Sequence, residues 1–488
     1  MRKLYWFLFT LVVALVISLE RVEARSNRKD EYIYSYWGEP IPSAAGLAHR
    51  QTYDSRMLGI TLSEPADLFV FDHKIYIVDQ KVHSLIVLDD QFRVLHELTE
   101  FKIHGQDDFT TLNAPSGISV TSDAIYIADK NNNRIVKLNH DFELIDEFGT
   151  PEDPTFDEVA FKPLKLDVDS NGRIYVIAEN VFEGIIELNH DGTFNRFTGV
   201  NRVSVSIIDI IRRQFATEEQ LSRMSLFLPT SFLNLTIDKR NFIFATAAAS
   251  RGGDNQSMIK EINPRGLDVL RKTGYHPPQG DLVFYQSTQY DIPSGPSRLV
   301  DITVNDNGMY TVVDGDRGRL FTYDDEGRLL YISADKGQQH GKLQKPVAIA
   351  YYGDLLIVLD QGTKSIEIFG PTKFGELINE AVRLQYLGEF EASYEIWQEV
   401  AKLNSNYEIA YIGIGKSLLN ERKYREAMYY FKLGHDKKYY SKALEGYRKE
   451  LLDRHFNWIM TGAAIIVVAV IAMPVIAFLK GEKEEFDE

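Results

Sequence analysis

The chain of 488 residues carries 54 Lys and Arg against 70 Asp and Glu, which gives a formal net charge of −16. A hydrophobic fraction of 44% and a charged fraction of 25% are ordinary for globular proteins and exclude a disordered or fibrous chain. The acidic balance and the lack of a long basic run argue against nucleic acid as a partner. The absence of cysteine excludes disulfides, thiolate metal sites and cysteine nucleophiles.

The N-terminal segment, residues 1–24, is predicted to be an export signal. Arg2 and Lys3 precede a mostly apolar run over residues 4–19, and Val22 and Ala24 place an aliphatic and a small side chain at the −3 and −1 positions of a cleavage site. An uncleaved membrane anchor is the alternative. Both versions send the residues that follow across the membrane.

A unit that begins with proline recurs six times along the chain. Its copies start at Pro65, Pro115, Pro163, Pro229, Pro296 and Pro346. Each copy continues with a short apolar strand, a second strand that usually ends in an acidic residue, a third alternating strand, a tight turn and a fourth strand. Four antiparallel strands repeated six times at a spacing of roughly 50 residues predict a mainly β fold, a six-bladed β-propeller.

The sixth copy supplies only three strands before Gly370 and Pro371. The segment from Tyr32 to Gly38 alternates like the fourth strand of the other copies and ends in the same glycine. Pairing a first strand with the last blade removes an exposed sheet edge. We therefore expect residues 32–38 to close the ring and the propeller to span residues 30–371.

Inserted sequence separates the later copies. Residues 206–228 lie between the third and fourth copies, and residues 275–293 lie between the fourth and fifth. Long loops of a propeller are common sites for ligands or partners.

The acidic residue that ends the second strand recurs in five of the six copies, at Asp79, Asp129, Glu179, Asp314 and Asp360. One interpretation is structural, since Arg134 and Arg319 each follow such an acid by five residues and could hold it through charge-assisted hydrogen bonds. The other is a cation site at one mouth of the propeller. We favour the structural role because a catalytic site needs different residues with different tasks.

Motifs of catalysis are missing from the sequence. It contains no nucleophile elbow, no phosphate-binding glycine loop, no dinucleotide fingerprint and no pair of histidines at short metal-ligand spacing. We therefore predict no catalytic, cofactor-binding or metal-binding residues.

Helical spacing replaces the strand pattern from Phe374 onward. Trp397 and Phe431 stand at equivalent positions 34 residues apart (431 − 397). A period of 34 residues is typical of paired-helix repeats. We predict repeat helices over residues 374–456 with packing positions at Trp397, Tyr411, Gly415, Tyr424, Ala427 and Phe431.

The segment 457–479 is predicted to be a transmembrane helix, because its residues from Trp458 to Leu479 carry no charge and are long enough to cross a bilayer. Residues 480–488 would form a short cytoplasmic tail. Basic residues before the span, such as Arg448 and Arg454, favour the opposite orientation locally. We give the leading export signal precedence and expect a single-pass protein of the cell membrane whose other regions are extracytoplasmic.

The copy from Pro115 to Gly149, above all its segment IYIADKNNNRIVKL, resembles the NHL repeat, and this resemblance covers about residues 60–370. The helical segment resembles tetratricopeptide repeats. The combination is similar to uncharacterised membrane-anchored proteins of Gram-positive bacteria. That resemblance implies a protein partner at or near the membrane, with a transporter as one candidate.

Two functions follow as hypotheses. The favoured one is a membrane-anchored, extracytoplasmic scaffold whose propeller and tetratricopeptide surfaces bind envelope or transporter components, without a cofactor. The alternative is a metal-dependent, lactonase-like hydrolase or lyase, since similar six-bladed propellers include gluconolactonases and the amidating lyase. That alternative requires a divalent metal, with a Glu, an Asn and an Asp converging in the central channel.

Overall fold

The computed structural model describes residues 32–157, 159–199, 231–249, 258–282 and 295–486. The predicted export signal, the segment 206–228 and Pro229 therefore lie outside the described residues. The chain divides into two compact units, Met1–Val382 and Arg383–Glu488.

The first unit contains six antiparallel sheets whose innermost strands contact one another in a closed ring, so it is a six-bladed β-propeller. From the inside outwards, blade one consists of Pro65–Phe71, Lys74–Asp79, Ser84–Leu88 and Val94–Leu98. Blade two consists of Pro115–Val120, Ile125–Asp129, Arg134–Leu138 and Leu144–Phe148. Blade three consists of Pro163–Val168, Ile174–Ala178, Ile185–Leu188 and Phe194–Thr198.

The remaining blades follow the same order. Blade four has three strands, Phe232–Ile237, Ile243–Ala247 and Ile259–Ile262. Blade five consists of Leu299–Val304, Tyr310–Asp314, Arg319–Tyr323 and Leu329–Ser333. Blade six consists of Pro346–Tyr352, Leu355–Asp360, Ser365–Pro371 and Leu47–Asp54. Two small hairpins pair Tyr32–Tyr34 with Pro40–Pro42, and Glu100–Lys102 with Phe109–Thr111.

The core of the propeller lies between neighbouring blades. Second strands such as Ile125–Asp129 are buried at every residue, because both faces of their sheet pack against other blades. Tyr76 of blade one and Ile127 of blade two belong to the same buried cluster. Because each sheet is covered on both faces by its neighbours, its strands carry apolar side chains on both faces.

The closing strand is not the one that the sequence suggested. Residues Leu47–Asp54, rather than 32–38, pair with Ser365–Pro371 and complete blade six. The register runs over seven residues of the partner strand, and the segment 32–38 has only three residues in a strand before it turns back at Gly38, where φ is 78°. Alternating residues do mark the closing strand, as the sequence suggested. The partner strand pairs over seven residues, however, and only the later segment, Leu47–Asp54, is long enough to match it.

Blade four also departs from the expected four strands. Where a fourth strand would lie, the described residues make one isolated bridge, between Ile262 and Asp268. Blade four is the copy with the weakest sequence pattern, since Thr246 stands where the others have an acid.

Helices follow the propeller in the chain, after one short helix, α1 (Ser55–Leu58), and two single-turn 3-10 helices, Lys130–Asn132 and Pro154–Phe156. The later helices are α2 (Lys373–Tyr386), α3 (Phe390–Leu403), α4 (Glu408–Asn420), α5 (Tyr424–Leu433) and α6 (Lys437–Phe486).

The second unit is held together by large aromatic side chains against glycines. Trp397 of α3 is 2% exposed, and a Cβ added to Gly413 of α4 would lie 2.4 Å from its ring. Phe431 of α5 is fully buried, and a Cβ on Gly415 would lie 2.7 Å from it. Glycine at both positions lets the helices approach closely, so any larger residue there would push them apart.

One helix of the described chain, α6, is long and apolar enough to cross a membrane, and its apolar window is not buried at all. The predicted span 457–479 lies within it.

Candidate functional site: the central channel

Four of the five strand-end acids, Asp79, Asp129, Asp314 and Asp360, are completely buried at the ends of their second strands. The Asp79 carboxylate accepts hydrogen bonds of 2.7–3.1 Å from the backbone N–H groups of Ser63, Glu64, Lys81 and Val82. The Asp360 carboxylate accepts equivalent bonds of 2.5–3.1 Å from Gln344, Lys345, Gly362 and Thr363. Each acid therefore ties the loop before its inner strand to the turn after its second strand.

The arginines five residues further on differ from each other. Arg134 contacts Asp129 as expected, with its Nε 2.9 Å from the carboxylate. The expected pairing of Arg319 with Asp314 is wrong, because Arg317 contacts Asp314 at 3.1 Å. Arg319 instead contacts Asp281 at 2.9 Å.

The reason for this difference is the buried carboxylate of Asp281, which comes from the loop between blades four and five. Asp281 is 2% exposed and accepts a hydrogen bond from the Tyr34 hydroxyl. A buried carboxylate needs a positive partner, and Arg319 supplies it while also donating to the Tyr32 hydroxyl at 2.7 Å. The contacts fix the hairpin that contains Tyr32 and Tyr34 against blade five.

Blades three and four lack the buried acid. Glu179 has 38% of its side chain exposed and pairs with Lys130 at 3.1 Å. The Lys130 ammonium keeps the pKa of Glu179 below its usual value. In blade four the Thr246 hydroxyl is buried without a hydrogen-bond partner among the described residues.

A different set of polar side chains lines the central channel. The inner strands turn their unpaired edge towards the channel, so their free N–H groups need acceptors there. Asp67 of blade one accepts from Ile118 N–H of blade two at 3.1 Å. The same hydrogen bond between neighbouring blades recurs twice. Asp167 of blade three accepts from Ile237 N–H of blade four at 2.7 Å, and Asp301 of blade five accepts from Ile349 N–H of blade six at 2.6 Å.

Each channel acid also has a side-chain donor from another blade. Lys165 Nζ lies 2.7 Å from Asp67. The Ser119 hydroxyl donates to Asp167 at 2.7 Å. The Asn234 amide donates to Asp301 at 2.5 Å. Polar side chains of five blades therefore line the channel and contact neighbouring blades.

Burial controls the electrostatics of these side chains. Desolvation raises the pKa of Asp301 to about 8 and the pKa of Asp167 to about 6. It also raises the pKa of Asp67, although the Lys165 ammonium opposes that shift. At neutral pH Asp301 therefore keeps a proton that an exposed aspartate would have lost.

The three acids, Asn234 and Thr303 line a cavity of about 170 Å³ in the channel. Val70, Val304 and Tyr351 also line it.

These residues do not fit a divalent metal ion. No three His, Asp or Glu side chains within the described ranges are grouped so that they could hold one ion. The Lys165 ammonium already provides the positive charge beside Asp67. A hard cation prefers several carboxylates at one point, and here each carboxylate is already engaged by a backbone N–H group and a side-chain donor from other blades.

Sequence reasoning did not find the channel set, since it considered only the recurring strand-end acids as candidate cation ligands. The signal was nevertheless present, because Asp67, Lys165, Asp167 and Asp301 are charged residues inside strands that are otherwise mostly apolar. Charged groups in buried strands are unusual unless they have a task.

The predicted helical packing positions lie on three helices of the second unit. Trp397, Gly415, Ala427 and Phe431 are buried. Tyr411 is half-buried, and its hydroxyl donates to Ser405 O at 2.9 Å. The Tyr424 ring packs against Gly446, where an added Cβ would lie only 2.4 Å from the ring.

Comparison with known proteins places one NHL repeat in the chain. The NHL repeat model matches residues 112–138, which include the first three strands of blade two. No curated protein gives a significant match to the whole sequence.

Solved structures with a similar fold include lyases. Virginiamycin B lyase from Staphylococcus aureus is 12% identical with a TM-score of 0.40, covering 67% of this chain and 100% of its own. A streptogramin B lyase is 14% identical with a TM-score of 0.41, covering 68% and 100%. A protein of unknown function from Bacteroides thetaiotaomicron is 12% identical with a TM-score of 0.40, covering 68% and 79%. Similarity this low carries no argument about function.

Proposed function

We propose that the chain is a membrane-attached interaction scaffold whose propeller and helical unit bind protein components of the cell envelope or of a transporter. The observation that carries the proposal is the apolar part of α6. Side chains such as Ile466 and Val468 are each 65% exposed, and the apolar window around them is not covered by any other part of the described chain. So much exposed apolar surface is stable in a bilayer and not in water.

The helical unit supports the binding part of the proposal. Its helices pair through Trp397 and Phe431 at the predicted spacing, so we infer that they are tetratricopeptide repeats, which usually act as binding surfaces. Glu391, Glu395 and Glu399 form an exposed acidic row on successive turns of α3. Like charges four residues apart weaken a helix slightly. The row therefore does not serve the stability of the helix, and we infer that it contacts a basic surface of a partner.

Binding is favoured over catalysis by the contacts of the acids. The strand-end carboxylates hold backbone N–H groups, and those of the channel accept from neighbouring blades. We also propose that residues 1–24 direct export and that residues 480–488 remain in the cytoplasm, in line with the resemblance to membrane-anchored Gram-positive proteins.

Membrane attachment is tested by replacing Val468 and Ile471 with arginine. Each arginine near the centre of a span costs about 3 kcal/mol, so we expect the double variant to be released from membranes by alkaline carbonate while the wild-type protein stays in the pellet. The control is Leu452→Arg, an equally exposed position of α6 before the span, which should behave as wild type. A double variant that stays in the pellet would contradict the anchor.

A further inference from the structure

We propose that the central channel binds a small organic molecule that carries an ammonium group. This inference is independent of membrane attachment and of a protein partner. It rests on the cavity, the charge of its lining and one hydroxyl that has no partner among the described residues.

The cavity sets the size of the molecule. Its volume is about 170 Å³. A protein cavity of about 150 Å³ admits benzene, so the channel suits a molecule with roughly six non-hydrogen atoms.

The charge of the cavity lining favours a cation once Asp301 is ionised. Three carboxylates, those of Asp67, Asp167 and Asp301, line the cavity, and Lys165 supplies an ammonium beside them. Lys165 contacts Asp67, while the side-chain donors of Asp167 and Asp301 are the neutral groups of Ser119 and Asn234. The second and third carboxylates therefore have no ion-pair partner among the described residues.

The Thr303 hydroxyl provides the independent sign of a ligand. Thr303 is 7% exposed and lines the cavity, and its hydroxyl makes no hydrogen bond to any described residue. Buried hydroxyl groups usually have a partner. A molecule in the cavity would supply one.

An ammonium group fits these acceptors better than a metal ion does. It donates three hydrogen bonds in different directions, so it can reach carboxylates that do not converge on one point. Each of the Asp167 and Asp301 carboxylates accepts three protein donors, and its oxygens keep further acceptor capacity.

Calorimetry of the full-length protein in detergent micelles tests the proposal with 1,4-diaminobutane, and with 1,4-butanediol as its neutral match. We expect the diamine to bind and the diol not to bind. Thr303→Val should lower the affinity for the diamine on the order of tenfold, since it removes one hydrogen bond to a charged group. The matched control is Asp306→Asn, an exposed aspartate of the same blade that should bind as wild type.

The dependence on pH gives a second readout. Lys165 and Asp67 are the charged groups that face Asp301, and burial raises the pKa of Asp301 to about 8. Because the ammonium binds the ionised carboxylate, the affinity should rise about fivefold from pH 7 to pH 8 and protons should be released on binding.

Four results would overturn the proposal: equal heats for the diamine and the diol, a loss in Asp306→Asn as large as in Thr303→Val, an affinity that does not change with pH, or Ca²⁺ that competes with the diamine for the channel. The second result would mean that the diamine binds the acidic surface. The last would assign the channel to a metal.

Discussion

At the scale of residues, the buried acids act mainly as acceptors for backbone N–H groups. Asp360 holds four of them, two before the inner strand and two in the turn after the second strand. Glu179 occupies the same position of the repeat but is partly exposed and contacts only Lys130 in ion-pair geometry. The repeat thus offers a natural pair for comparison.

Asp360→Ala should lower the free energy of unfolding by about 3 kcal/mol, because it leaves several buried N–H groups without an acceptor. Glu179→Ala should change it little, since an exposed ion pair contributes little. Thermal unfolding of the full-length protein in detergent measures both. Equal losses in the two variants would contradict the structural role of the buried strand-end acid.

Sequence reasoning reached the strand-end acids because they recur at a fixed place in each copy. It could not reach the channel set, because Asp67, Asp167 and Asp301 stand in three different blades and at two different positions of the repeat. Their meeting depends on closure of the ring, which brings together residues far apart in the chain.

At the scale of elements, closure depends on the strand Leu47–Asp54. It pairs with Ser365–Pro371 over the full length of that strand, so it covers an edge that would otherwise be open. The hairpin that contains Tyr32–Tyr34 lies elsewhere, where the Tyr32 hydroxyl accepts from Arg319 and donates to Asp281.

Deleting residues 47–54 should therefore lower the melting temperature of the propeller far more than deleting residues 32–38. The first deletion opens blade six, whereas the second removes side-chain contacts to blade five and leaves every blade paired. The melting temperatures of the two deletion variants give the comparison. A larger loss on deletion of 32–38 would restore the earlier segment as the closing strand.

The strands themselves were predictable, because each inner strand begins at or shortly after the recurring proline and each second strand is a mostly apolar run. The closing strand was not, because two N-terminal segments alternate and only the register of their partner distinguishes them. Blade four shows the same dependence on partners, since its outer edge has one isolated bridge in place of a strand.

At the scale of the whole molecule, one chain combines a propeller, a helical unit and a helix that is long and apolar enough to cross a bilayer. The apolar helix could be predicted directly, because an uncharged run of this length has no other stable place beyond the folded repeats. The helix pairs were predictable from the spacing of Trp397 and Phe431. Which surfaces bind a partner depends on exposed residues, and no periodicity marks those.

Site-specific photo-cross-linking in intact membranes tests the scaffold most directly, with the cross-linking residue placed at Glu395 on the acidic row of α3 and, as a control, at the exposed Asp306 of blade five. We predict a discrete cross-linked product from Glu395 that disappears when Glu391 and Glu399 are changed to lysine, while the melting temperature stays the same. A product that survives both charge reversals, or no product from Glu395, would contradict partner binding by this surface.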